Sequence, residues 1–117
     1  MEPANILVVD DDPMVRESMI LALDDESYRV TTATDGPDAL SKLAENSYDL
    51  VFTDYFMPEL KGDELARIIK QRHPSTIIVM LTSLAPPGLD RSVDLVMVKP
   101  CSMAALRASV NNFLKRA

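Results

Sequence analysis

The chain has 117 residues, 47% apolar and 26% charged, with a formal net charge of −6 at pH 7. That length suits one compact domain, expected over residues 1–117. The acidic balance argues against direct nucleic-acid binding, which needs clustered Lys and Arg, and no apolar run is long enough to cross a bilayer.

Met1-Glu2-Pro3-Ala4-Asn5 carries no basic stretch and leads into an apolar run of strand length, so no signal peptide is expected. The single Cys101 cannot pair within the chain, and nothing points to an oxidising compartment. The expectation is a cytoplasmic protein that does not act at a membrane.

In chain order, strand-like and helix-like segments alternate. Ile6-Leu7-Val8-Val9 is a short apolar run of the kind that is covered on both faces in a parallel sheet. Asp12-Pro13 then reads as an N-cap followed by a first-turn proline, opening a helix to about Asp25 that buries Val15, Met19 and Leu23. Tyr28 to Ala33 is mixed in character and reads as an edge strand. A second helix begins near Gly36-Pro37, with Leu40, Leu43 and Ala44 at helical spacing. Leu50-Val51-Phe52 is another buried strand. A third helix, from about Gly62 to Arg72, places Leu65, Ile68 and Ile69 on one face and stops before Pro74. Ile77 to Leu81 and Leu95 to Val98 are the remaining apolar runs, also expected to be covered on both faces.

Between those last two runs the pattern breaks. The interval 82–94 contains Pro86-Pro87-Gly88 and no sustained apolar period, which predicts a loop with at most one helical turn. A final helix over residues 102–115 carries Met103, Leu106, Val110 and Phe113 or Leu114 on one stripe. The alternation predicts a doubly wound α/β sandwich.

In such sheets ligands collect beyond the C-terminal strand ends. Asp10, Asp11 and Asp12 follow the first run, Thr53 and Asp54 the third, Thr82 and Ser83 the fourth, and Lys99-Pro100 the fifth. Carboxylates ionised together on one rim repel unless a cation sits among them. Mg²⁺ meets that need with oxygen ligands. A carboxylate can attack phosphorus to give an aspartyl phosphate, and a lysine and a hydroxyl can hold the phosphoryl oxygens.

Ile6-Leu7-Val8-Val9-Asp10-Asp11-Asp12-Pro13, Asp54-Tyr55-Phe56-Met57-Pro58 with Gly62, Leu81-Thr82-Ser83 and Val98-Lys99-Pro100 together resemble the receiver domain of two-component response regulators. The resemblance spans essentially the whole chain. It implies a flavodoxin-like, five-stranded parallel sheet of order 2-1-3-4-5 with helices on both faces. It further implies Asp54 as phospho-acceptor and Asp10, Asp11, Asp54 and the Phe56 carbonyl as the Mg²⁺ site. Thr82 becomes the switch hydroxyl, Lys99 the phosphoryl contact, and Lys99-Pro100 a cis peptide. The implied donor is a phosphohistidine on a sensor histidine kinase or histidine phosphotransfer protein, and the phosphoryl group controls an output partner or domain; a homodimer is also compatible with the family. Such a domain is a signalling phosphoacceptor that catalyses only its own phosphorylation and dephosphorylation.

Two departures stand out. The interval 82–94 is short, implying a reduced or missing helix where the family places its fourth, and Val96 stands where the family commonly has a switching aromatic residue. Output is therefore expected to run through that loop or the last helix. Phe56 and Leu84, beside acceptor and switch, are poorly suited to position an attacking water, which implies a long-lived phosphoryl group.

The other polar residues have simpler readings. Asp12 is a helix cap, His73 a helix-end histidine, Cys101 a residue that packs or faces the end of the last helix, Asp24-Asp25-Glu26 a solvated helix end, and the seven methionines core filling. A haloacid-dehalogenase-type phosphohydrolase would use Asp10 and Asp12, but no acidic motif follows Lys99. A pseudo-receiver that binds partners without phosphorylation is the remaining alternative. Gly36, Gly62 and Gly88 form no phosphate-cradling loop, excluding a GTPase or dinucleotide-binding module.

Overall fold

The computed structural model describes residues 2–84, 88 and 91–114. Among them the strands are β1 (Ala4–Val9), β2 (Tyr28–Ala33), β3 (Leu50–Thr53), β4 (Ile77–Thr82) and β5 (Leu95–Val98). The helices are α1 (Pro13–Ala22), α2 (Gly36–Glu45), α3 (Gly62–Arg72) and α4 (Met103–Leu114). The strands form one parallel sheet in the order β2-β1-β3-β4-β5, as the resemblance implies.

Alternate residues of the central strands feed two cores, because side chains alternate faces along a strand. Leu7, Val9, Val51 and Ile78 pack against Ala39 and Leu43 of α2 and Leu65 and Ile69 of α3. Ile6, Val8, Leu50, Phe52, Val79 and Leu81 pack on the other side against Met19 and Ala22 of α1 and Leu106 and Val110 of α4. With both faces covered, β1 and β3 can be apolar at nearly every position, Asn5 and Thr53 excepted.

The helix starts follow from local chemistry. Asp12 accepts the Met14 N–H at 2.9 Å, and Pro13 occupies the first turn of α1. Asp35 accepts the Asp38 N–H at 2.8 Å to open α2. Glu64 reaches back to the Lys61 N–H at 3.2 Å at the head of α3, whose C-cap is His73. Ser102 accepts the Ala105 N–H at 3.0 Å before α4.

Several expectations need correction. The first helix ends at Ala22, not near Asp25. Three acidic residues in succession sit badly at the negative end of a helix, and Asp25 instead accepts the Ser27 N–H in a turn. On α2 the buried stripe is Gly36, Ala39 and Leu43, and Ala44 is exposed because it falls a further 100° round the helix. Ile68 is only half-buried. Met103 is exposed, and so is Met14, so methionines do more than fill the core.

β5 departs furthest. Leu95, Val96 and Met97 are half-buried and Val98 is exposed, so this strand is not covered on both faces. It is an edge strand, and the described residues of the preceding connection (83, 84, 88 and 91–94) contain no helix to lie over it. Pro86 and Pro87, on which the loop expectation rested, and Lys115, at the expected end of the last helix, lie outside the described residues.

Asp94 ties the end of this connection down. Its N–H donates to the Ile78 carbonyl at 2.8 Å, and its Oδ2 accepts the Ile78 N–H at 2.7 Å and Lys70 Nζ at 2.9 Å. One residue thereby satisfies both main-chain groups of Ile78 just below the first rung between β4 and β5.

Candidate functional site

The site forms where β1 and β3 stop pairing. Val9 is the last residue of β1, opposite Ala33 and Thr53, and the chain then delivers Asp10, Asp11 and the Asp12 cap in succession. Asp54 follows Thr53 directly, and its N–H donates to the Val9 carbonyl at 3.2 Å, which locks the two strand ends together. Carboxylate oxygens of Asp10, Asp11 and Asp54 all lie within 4.8 Å of one another.

Their environments differ. Asp10 is buried, at 3% exposure. Its Oδ1 accepts the Asp12 N–H at 2.9 Å and its Oδ2 accepts Lys99 Nζ at 3.0 Å. Burial pushes its carboxyl above the usual range and Asp54 adds to this, against the opposing pull of the Asp12 N–H and Lys99. Asp54 is half-buried; its Oδ1 accepts the Tyr55 N–H at 2.7 Å, and its Oδ2 lies 3.6 Å from Lys99 Nζ. Asp11 is exposed.

Lys99 follows β5, with its N–H donating to the Thr82 carbonyl at 2.8 Å and its peptide to Pro100 cis. Its side chain spans the rim and bridges Asp10 and Asp54. Thr82 is fully buried at the end of β4, where its hydroxyl makes a long 3.4 Å bond to the Leu84 carbonyl. Phe56 lies two residues past Asp54 with an exposed ring set edge-on against Tyr55 at 4.8 Å. The structure thus brings Asp10, Asp11, Asp54 and Lys99 together, while Thr82 closes β4 and Phe56 lies in the loop after β3. An oxygen-only donor set with one buried carboxylate suits a hard cation such as Mg²⁺.

The residues around this rim match a known family model, that of the response regulator receiver domain, over residues 6–111. The chain belongs to that family. This receiver domain is 38% identical over 119 residues to Response regulator MprA of Mycobacterium sp. strain KMS, covering 97% of this chain and 52% of that protein. Among solved structures, response regulator TrrA of Thermotoga maritima, in complex with Mg²⁺-BeF, shares 34% identity with a TM-score of 0.85, covering 94% of this chain and 98% of that one. Chemotaxis protein CheY4 of Vibrio cholerae shares 28% identity with a TM-score of 0.86, covering 95% and 98% of the two chains. The receiver spans about half the length of the curated relatives it matches, and it is a signalling module of two-component systems. Among the described residues, no helix of the receiver is long and apolar enough to cross a membrane.

Two features of the site escaped sequence reasoning. Arg16 Nη1 donates to the Asp10 carbonyl at 2.7 Å. Its only advance signal is its place on α1, four residues after the Asp12 cap. The second is an apolar cleft of about 350 Å³ between α1 and α4, lined by Met14, Met19, Pro100, Cys101, Met103 and Leu106 among others. The exposed positions of Met14 and Met103, which the periodicity assigned to packing or left unread, are its rim.

Proposed function

We propose that this receiver domain takes a phosphoryl group onto Asp54 from a phosphohistidine of a sensor histidine kinase or histidine phosphotransfer protein. One observation carries the reading: three carboxylates from two strand ends lie within 4.8 Å of one another, and a lysine bridges two of them. Asp10, Asp11 and Asp54, with the main-chain carbonyl of Phe56, would hold Mg²⁺. When bound, the cation offsets negative charge on the transferring phosphoryl oxygens.

Asp54 supplies the attacking oxygen. An O–P bond forms as the donor's P–N bond breaks, and the released imidazole takes up a proton from solvent. Lys99 offers a fixed positive charge to a phosphoryl oxygen, since its Nζ already lies 3.6 Å from Asp54 Oδ2. Thr82 registers the group by exchanging its weak bond to the Leu84 carbonyl for a phosphoryl oxygen, which draws on the short connection before β5. Hydrolysis returns the Asp54 carboxylate and inorganic phosphate, so the only substrate transformed is the domain's own phosphoryl group. A cytoplasmic location and an output partner or domain complete the reading.

Intact mass after incubation with acetyl phosphate and MgCl₂ tests it, beside an Asp54→Ala control. A gain of one phosphoryl group, absent from the control, is the expected result. No gain in protein that binds Mg²⁺ would overturn the reading in favour of a phosphorylation-independent interaction module.

A further inference from the structure

We propose that Arg16 is a positioning residue for the cation site, acting as a clamp on the peptide between Asp10 and Asp11. The inference rests on the cation-binding reading above and deepens it.

The main-chain carbonyl of Asp10 lies just past the last paired rung of β1. Its N–H is taken by the Ala33 carbonyl at 3.2 Å, but no neighbouring strand continues far enough to donate to its oxygen. A buried carbonyl without a donor is costly. Arg16 Nη1 fills that role at 2.7 Å in a part-buried setting. Its own N–H donates to the Asp12 carbonyl at 3.1 Å, so the stem rises from the same turn that the Asp12 cap organises.

The consequence falls on Asp11. A peptide unit is planar, so fixing the Asp10 oxygen also fixes the Asp11 nitrogen and the direction in which Asp11 leaves the strand. Asp10 has separate restraints on both carboxylate oxygens, from the Asp12 N–H and Lys99. Asp11 is exposed, so its placement depends on the main chain. The planar, permanently charged guanidinium suits a fixed hydrogen bond of this kind better than a flexible ammonium.

Arg16 performs this task in spite of its charge. A cation near the head of a helix opposes the positive end of the helix dipole, and a positive charge beside a cation site repels the cation. If charge were its whole contribution, removing Arg16 would tighten cation binding. A clamp predicts the opposite sign.

The experiment is a MgCl₂ titration followed by amide chemical shifts on wild-type protein, Arg16→Met and Arg16→Lys, with the thermal midpoint of each recorded. Met keeps the apolar stem and helix propensity but removes the donor. Arg16→Met is expected to raise the Kd for Mg²⁺ about ten-fold, the usual scale for losing an outer partner of a ligand. Arg16→Lys, which retains one donor on a more flexible stem, is expected to recover part of that loss. Acetyl phosphate labelling of Arg16→Met should be slow at low Mg²⁺ and approach the wild-type rate at saturation. A Kd that is unchanged or tighter in folded Arg16→Met, whatever the thermal midpoint, would overturn the clamp and leave the cation reading standing. Wild-type protein whose amides ignore Mg²⁺ would overturn both.

Discussion

A Cβ placed on Gly62 would come within 2.1 Å of the main-chain oxygen of Asp54, the first residue of the loop that returns to α3. The Gly62 N–H meanwhile donates to the Tyr55 carbonyl at 3.0 Å, which folds the loop back on itself. The glycine is required here for close approach. Gly62→Ala is expected to cost about 1–3 kcal/mol of stability, the range for overpacking against a fixed backbone. It should also slow labelling of Asp54 by acetyl phosphate. Urea denaturation and labelling rates of the variant check both.

Lys99 holds two carboxylates at once. Lys99→Ala removes a positive charge from a site read as cation-binding, so Mg²⁺ should bind more tightly. The same change should slow phosphoryl transfer by about a hundred- to a thousand-fold, because a preorganised charge is lost. Parallel Mg²⁺ titration and labelling would reveal these opposite movements.

Phe56 and Leu84 are both exposed and apolar beside the acceptor and switch positions. Neither offers a hydrogen bond to a water in line with the phosphorus. The phosphoryl group on Asp54 should therefore persist for minutes or longer, and Phe56→Asn should shorten its life. Phosphate release from purified phosphoprotein measures this; a half-life of seconds in the wild type would contradict it.

Phosphorylation should shift the amides of Ser83, Leu84, Val93 and Asp94 and of α4 more than those of α2. The grounds are the Thr82–Leu84 bond and the absence of a helix among the described residues between β4 and β5. Comparing amide spectra before and after acetyl phosphate treatment tests this, and shifts confined to another face would exclude it.

Asp38 makes a pH prediction with a definite sign. The Thr34 N–H at 2.9 Å, with Lys42 at 3.3 Å, holds its carboxyl below the usual range despite partial burial. Its stabilisation is complete above the unfolded carboxylate pKa of about 3.9 and disappears as pH falls through the lower folded value. Asp38→Asn should cost about 0.5 kcal/mol at neutral pH, a small figure because Asp38 is 34% exposed and screened by solvent. The gap to the wild type in urea denaturation should close as the pH drops below about 4.

Much of this was legible in the sequence. Ile6 to Val9 and Leu50 to Phe52 announce strands buried on both faces, and the aspartates that come directly after them announce the rim. Asp12 and Pro13 mark a helix start because capping is local. The end of α1 was harder, since it depends on how Asp24, Asp25 and Glu26 meet the helix dipole. The half-exposure of β5 reflects its place at the sheet edge, a tertiary fact. Arg16 was silent for a similar reason: its partner is a main-chain oxygen, and main-chain atoms leave no trace in side-chain patterns.

The second core has a temporal consequence. Arg107 Nε donates to the Ala22 carbonyl at 2.7 Å, and Tyr28 is hydrogen-bonded to Asn111, so α4 straps down segments that are translated before it. Until α4 emerges, Val8, Phe52 and Leu81 lack the Leu106 and Val110 that cover them in the finished protein. A ribosome-bound chain halted after β5 would display one sheet face covered by α1 alone, while its other face is already thatched by α2 and α3. Such a half-clad intermediate is a natural client for a chaperone, and the receiver fold closes only once α4 has left the exit tunnel.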